Sequence, residues 1–540
     1  MSISSSFVVI NNVKLPINAS SEEAFSVARS RLKKAGIAIG GLSFSIYRRS
    51  VDARRKSDVH FVYSIAARGS FGEVSVEYLK RHGMSLLTEN SALDIIIGNE
   101  VLSAPPVIVG SGPCGLFAAL LLAERGYRPL ILERGGSVSE RMHAHAAFVK
   151  THILNTETNI QFGAGGAGTF SDGKLVTRIN DPLTSYVLSR FCEYGADEAI
   201  KYIARPHIGT DVLSVIVDTM LRRITELGGR IEYHTKFISA VSKNGKVVSV
   251  ITDKGEIPTG ALLLAVGHSA RDTYESLLTE NMAIEAKAFS VGMRIEHLAE
   301  DIDCSMYGDF AENKKLGHAE YNLSFDTKSR GVYTFCMCPG GEVIAAASET
   351  EGTVVNGMSY NSRSGRNSNS AVACTVFRED YGATPQSAIE FQRKIERAAY
   401  IAGGGEYSAP IITVGDFLSD KCITEPKRIQ PTYMGGGNVK LARPEQYLPS
   451  FVTSSIKKAL MAFDGKIQGF AASDAVLTGA ETRTSAPLRI LRDNETRLAL
   501  GYKNLYPAGE GAGYAGGITS AAIDGIKSAL ALMKVYKPIK

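Results

Sequence analysis

No apolar run in these 540 residues is long enough to cross a bilayer. The longest, 116–123 and 261–266, fall far short of the roughly 20 residues a membrane helix needs. Met1–Ser6 lacks the basic-then-apolar order of a secretory signal, so a cytoplasmic protein is the expectation. Cysteine is scarce. The seven are scattered apart from Cys336 and Cys338, an odd count without the spacing of a disulfide framework, which predicts reduced thiols. The excess of one charge sign is small, +5 net from 60 basic and 55 acidic residues, and points by itself to neither nucleic acid nor membrane. There is no metal-ligand cluster, no nucleophile triad and no solenoid repeat. What remains is a globular chain of two or three packed units acting on a small molecule, its oligomeric state left open.

The pattern begins with a β-branched run at 7–11, an amphipathic helix over 20–35, and alternating segments at 41–48 and 59–67 around a basic bend, together a small α+β module. Ser103-Ala-Pro-Pro106 punctuates the chain before a strongly apolar strand. From Val107 the order is strand, glycine turn, helix (116–125) and strand (128–133), one βαβ unit. A glycine-dense stretch follows at 163–173, then a helix near 211–227, a strand and hairpin near 230–252, and a buried strand at 261–266. A Ser/Asn/Gly-rich stretch at 356–370 reads as a mobile surface loop. A strand at 505–509 and a long helix from Ile518 close the sequence.

Gly110-Ser111-Gly112-Pro113-Cys114-Gly115 fits G-x-G-x-x-G in its required context, with a strand delivering it and a helix leaving it. Gly110 permits the turn, Gly112 lets amides approach a pyrophosphate, and Gly115 lets helix and strand pack closely. Glu133 ends the next strand, where a carboxylate accepts ribose hydroxyls. This fingerprint serves NAD(P) and FAD alike. The distant segment Tyr506-Pro-Ala-Gly509-Glu510, running through Gly516 and Gly517 into the helix at Ile518, is what argues for FAD. Its helix N-terminus fits the flavin end that gains negative charge on reduction. No motif for covalent attachment surrounds His143 or His145, so the FAD is expected to be non-covalent.

These motifs resemble an uncharacterised family of NAD(P)/FAD-dependent dehydrogenases related to glutathione-reductase-like and HI0933-like flavoproteins. The likeness rests on the fingerprint, Glu133-Arg134-Gly, Phe162 to Lys174, Leu264 to Asp272 and the C-terminal glycine motif. Ser50 to Arg54, His207 to Asp211, Cys336 to Gly341 and Thr482 to Pro487 are further landmarks, and the whole runs over nearly the entire chain. Two residues depart from the pattern: Cys114 stands where alanine is expected, and Ala164 where glutamate is. The resemblance implies that the 163–173 loop passes close to the isoalloxazine, which makes Gly165, Gly166, Ala167, Gly168, Thr169, Phe170 and Ser171 cofactor-binding candidates. Arg134, Arg141 as a phosphate partner, Phe237 and the strand-ending Gly267 join them.

Catalytic residues are not assigned; the candidates are His207, with Asp211 as its orienting partner or a helix cap, and the pair Cys336 and Cys338. The pair is not expected to form an easy intramolecular disulfide. The reading is an α/β protein. A FAD-binding, doubly wound, glutathione-reductase-like domain (105–285 and 475–540) carries an inserted α+β substrate or cap domain (286–474) behind an N-terminal α+β module (1–104). The expected activity is hydride transfer between flavin and a small molecule. No second fingerprint is present, so NAD(P)H is expected only as a transient donor. The alternative is a flavin-containing protein that binds nucleic acid or a partner through Arg48, Arg49, Arg54, Arg55 and Lys56; Asp52 and the lack of interleaved aromatics count against it.

Overall fold

The computed structural model describes residues 6–71, 74–88, 93–177, 180–419 and 422–539, and the chain forms two compact units. The first gathers Met1–Asp94, Asn180–His207 and Asp303–Ala319. Its sheet is antiparallel, in the order Ser43–Asp52, His60–Arg68, Ser6–Pro16, Met84–Thr88. The expected amphipathic helix is Ser21–Lys34, started by a reciprocal capping box between Ser20 and Glu23. Ala24, Ala28 and Leu32 recur every four residues, are buried, and form the helix face that packs on this sheet.

The second unit holds Ile95–Ile179, Ile208–Ile302 and Glu320–Lys540. Its centre is a parallel sheet in the order Leu505–Pro507, Leu262–Leu264, Val107–Val109, Leu130–Leu132, Arg230–Glu232. Four of these strands are short, wholly buried apolar runs, as a parallel sheet covered on both faces requires. Helix Pro113–Glu124 is buried from Cys114 to Ala123 because helix Ile518–Val535 lies against it. That approach depends on Gly525, where a Cβ would sit 2.0 Å from the Cys114 carbonyl oxygen.

Residues beyond 285 build a seven-stranded sheet in the order Ser324–Asp326, Gly331–Cys338, Asn367–Val376, Phe289–Leu298, Val476–Glu481, Ala409–Thr413, Val439–Leu441. All neighbours are antiparallel except the last pair. Here the sequence reading of 356–370 as a surface loop holds only for its middle, where Tyr360, Asn361, Ser362, Ser364 and Arg366 are exposed outside any strand. Asn367, Ser368, Asn369 and Ser370 are buried in a central strand, and Val355–Met358 pairs with Glu342–Ala345. Two of them find internal partners: Asn367 Nδ2 donates to Glu296 at 2.9 Å, and Ser370 and Tyr321 share a bond of 2.9 Å. Among the described residues no helix is long and apolar enough to cross a membrane.

Candidate functional site

The C-terminal ends of the parallel strands open on a cleft of about 960 Å³, its open mouth included. The glycine turn forms its floor. Gly115 lies inside the first helical turn, where a Cβ would fall 1.9 Å from the Gly110 carbonyl oxygen, so helix and strand meet only because the side chain is absent. Gly112 is the N-cap of Pro113–Glu124 and Gly517 that of Ile518–Val535; neither cap has a side chain bonded to the first-turn amides. Gly112, Pro113, Cys114, Gly517, Ile518 and Ala521 all line the cleft, so two uncapped helix N-termini share one cavity.

Glu133 lines the same floor, and its carboxylate is already engaged. Oε2 accepts from Ser111 N at 3.0 Å and Ser111 Oγ at 2.6 Å, and Oε1 from Gly135 N at 3.0 Å and Gly163 N at 2.9 Å. Four donors fill the lone-pair positions of a carboxylate, so a sugar hydroxyl arriving here competes with the Ser111 hydroxyl, the only side chain among them. Arg134 stacks on Phe162, 4.0 Å from the ring centre, and is paired with Asp272 and Glu157. Lys236 pairs with the same two carboxylates.

The 163–173 loop divides. Gly166, Ala167 and Gly168 line the cleft; Gly165, Thr169, Phe170 and Ser171 do not. Gly166, at φ +61, passes so near the fingerprint that a Cβ would lie 3.0 Å from Gly112 Cα. Arg141 lies behind the loop, fully buried, outside the cleft lining. It donates to the carbonyls of Asn159, Ile160, Ala164 and Gly166, so the structure uses its guanidinium to hold the loop's backbone. Burial pushes that guanidinium down to about 10 against the opposing charge of Glu133. Of the remaining cofactor candidates, Gly110, Ser111, Phe237, Gly267 and Glu510 line the cleft, whereas Gly115, Gly509 and Gly516 stand outside its wall. The two departures from the family pattern are both buried: Cys114 against Gly509 and Gly525, and Ala164 under the Arg141 clamp.

The sequence reading missed His268. It follows Gly267 at the end of strand Leu262–Leu264, lines the cleft and is only 8 % exposed. Its Nδ1 is 3.4 Å from Glu510 Oε1 and its Nε2 has no partner. The strand-end position was the available signal, since ligands of open parallel sheets gather at the carboxyl ends of the strands. Next to it, Ser269 accepts from Arg483 at 2.9 Å; Arg483 also pairs with Glu396, which Arg271 holds from the other side.

The catalytic candidates are placed differently. His207 belongs to the first unit and is not part of the cleft lining. Asp211 is not a helix cap: the cap of Thr210–Glu226 is Gly209, and Asp211 accepts from the Asn361 amide at 2.8 Å. The strand that carries the cysteines bulges between Phe335 and Cys338, and Cys336 takes a left-handed φ of +44. Cys338 Sγ lies 3.2 Å from the Cys336 carbonyl oxygen. In the basic segment of the first unit, Arg49 stacks on Phe61 and Tyr202, and Arg54 is tied to Asp52.

Comparison with known proteins follows this division. Residues 288–484 match the family described as FAD-dependent protein, C-terminal domain-like. Residues 108–170 match the NAD(P)-binding Rossmann-like domain, and 8–68 a domain of unknown function. An uncharacterised protein of Clostridium beijerinckii is 43 % identical over 525 residues, 96 % of this chain and 97 % of its own. Among solved structures, L-amino acid deaminase from Proteus vulgaris is 13 % identical, covering 83 % of this chain and 98 % of that one, with a TM-score of 0.31. L-proline dehydrogenase from P. horikoshii is 11 % identical, covering 80 % and 93 %, with a TM-score of 0.33.

Proposed function

The chain belongs to the FAD-dependent oxidoreductase family with an NAD(P)-binding Rossmann-like domain, and we propose that it transfers hydride between the flavin and a small organic substrate. The observation that carries this reading is the pair of uncapped helix N-termini opening on one cleft. Each offers unpaired amides and partial positive charge, so one suits a diphosphate and the other a ring that becomes anionic on reduction. Bound there, FAD supplies reversible two-electron chemistry.

The chain's own residues bind, orient and tune. The Gly110–Gly115 turn and the first amides of Pro113–Glu124 hold the diphosphate, and Glu133 with Ser111 meets the ribose. The helix beginning at Ile518 stabilises negative charge at the ring. His268 fits as a ligand contact: Glu510 is beside Nδ1, and Nε2 is the ring's free position, an acceptor when neutral and a donor when protonated. In this reading the FAD domain is of the doubly wound, glutathione-reductase-like kind, and the seven-stranded sheet is inserted into it as the substrate domain. A nicotinamide entering transiently is the proposed electron donor, because one fingerprint turn serves one resident dinucleotide.

Anaerobic stopped-flow mixing of the flavin-loaded protein with NADH, NADPH and a panel of organic donors tests this. One donor class should bleach the flavin within the turnover time. If dithionite reduces the flavin and no donor does, hydride transfer is the wrong assignment.

A further inference from the structure

Three charged side chains of the second unit lie behind the cleft wall, outside the groups assigned to the cofactor. Asp524 is on the helix Ile518–Val535, three residues after Ala521, so the two share a helix face, and Ala521 lines the cleft. Arg492 and Arg497 come from the segment that leaves strand Leu488–Ile490, and both close on the Asp524 carboxylate. Arg492 donates to Oδ2 at 2.9 Å and to Oδ1 at 2.8 Å, while Arg497 donates to Oδ1 and, at 3.3 Å, to the Asp524 carbonyl oxygen. The side chains of Arg492, Arg497 and Asp524 are 5 %, 12 % and 11 % exposed, so water screens their charges poorly.

The cluster also grips the backbone of the second glycine motif. Asp524 Oδ2 accepts from Gly509 N at 2.7 Å. Arg492 donates to the Pro507 carbonyl oxygen at 2.6 Å and stacks on Tyr514, 3.6 Å from the ring centre. Glu510, one residue beyond Gly509, lines the cleft. The charges therefore stand one helical turn, about 5.4 Å, behind one piece of the cleft wall and one residue of chain behind another. Two guanidinium groups face one carboxylate, and among the described residues neither arginine pairs with a second acid. One positive charge is left uncompensated within the cluster. Burial pushes the Arg497 guanidinium below its ordinary range; Asp524 opposes this, and the like charge of Arg492 adds to it. An arginine stays charged at neutral pH in spite of such a push.

We propose that Arg492, Arg497 and Asp524 form a buried cationic cluster that sets the reduction potential of the bound flavin, its excess charge stabilising the negative charge that the ring gains on reduction. This rests on the FAD reading and adds to it a source of positive charge separate from the helix terminus at Ile518. None of the three residues lines the cleft, so they act through their field and through the backbone they hold, as positioning residues.

The test uses the full-length, flavin-loaded protein and reads the midpoint potential by spectroelectrochemistry in two variants that break the same ion pairs but change the charge in opposite senses. Arg497→Met removes a positive charge; Asp524→Asn removes the negative one and keeps an amide oxygen for Gly509 N. The midpoint should fall in Arg497→Met and rise in Asp524→Asn, each by about 30 mV, the two-electron equivalent of a tenfold change in the preference for the reduced form. Glu510 is the same in both and cancels from the comparison. Arg497→Lys, which keeps the charge, should stay near the wild-type potential. A purely structural role would weaken FAD binding in both variants without parting their potentials. The proposal is overturned if the two midpoints move the same way or not at all, or if Arg497→Lys shifts as far as Arg497→Met. Should one of the two lose its FAD, the sign of the other decides; should both lose it, the cluster is structural and the proposal falls. A wild type that takes up no FAD overturns the FAD reading and this inference together, whereas normal uptake with unmoved potentials overturns this inference alone.

Discussion

Gly112→Val separates ligand binding from folding. Gly112 has φ −64 and ψ 178, open to any residue, and a Cβ there meets nothing nearer than Gly166 Cα at 3.9 Å. The cost to the fold is a poorer helix cap, about 1 kcal/mol. A less flexible unfolded chain offsets it by about 0.4–1 kcal/mol. Net stability therefore moves by less than about 1 kcal/mol. Binding is affected far more, because a branched side chain at the mouth of the first helical turn keeps an anion off those amides. Losing two hydrogen bonds to a charged group, at about 1.5–3 kcal/mol each, costs about 3–6 kcal/mol. At 1.4 kcal/mol per decade that is on the order of 100- to 10,000-fold in affinity. The assay is titration of flavin-free protein with FAD, followed by fluorescence, alongside thermal melting without flavin. Gly115→Ala is the contrast: with the Gly110 carbonyl oxygen 1.9 Å from the new carbon, it should damage the turn itself. Wild-type FAD affinity in Gly112→Val would refute the assignment of this turn to the diphosphate.

Gly517→Val, where a Cβ meets only Ser520 Oγ at 4.0 Å, should leave the fold intact, lower the flavin midpoint potential and slow anaerobic reduction; spectroelectrochemistry checks both. Arg141→Met leaves the buried carbonyls of Asn159, Ile160 and Ala164 without this donor, while Gly166 keeps the Thr169 amide, and should lower the unfolding free energy by at least about 3 kcal/mol, read from denaturant titration. For Glu396, burial pushes the carboxyl up, but Arg271 and Arg483 on either side outweigh this and hold it below the ordinary range. The stability it contributes is therefore present at neutral pH and lost as the pH falls below 4.5. Glu396→Gln should cost roughly 3–5 kcal/mol at neutral pH, and its deficit relative to wild type should shrink in acid, which melting curves across pH will show.

The parts of the site that were legible in the sequence are those written in neighbouring residues. A strand, a glycine turn and a helix follow one another from Val107, and the start of the last helix is marked by Gly516 and Gly517. What was not legible depends on partners far along the chain. Arg141 on its helix looks like any exposed arginine until the loop at 159–166 turns four carbonyls toward it. The polar run at 356–370 reads as a solvated loop because Glu296, Tyr321 and Arg294, which satisfy or crowd it, are tens of residues away. Residues two apart on a strand share a face, so alternation does not separate the two cysteines, and the bulge with its left-handed Cys336 leaves no mark in the sequence. Nothing in composition signals that 180–207 and 303–319 join the N-terminal residues in one compact unit.

The most direct test of the central claim is the absorbance spectrum of the purified protein, followed by heat release and identification of whatever is bound. The account predicts a yellow protein that yields free FAD into the supernatant and takes it up again on refolding. A colourless protein that binds no FAD from solution would contradict it.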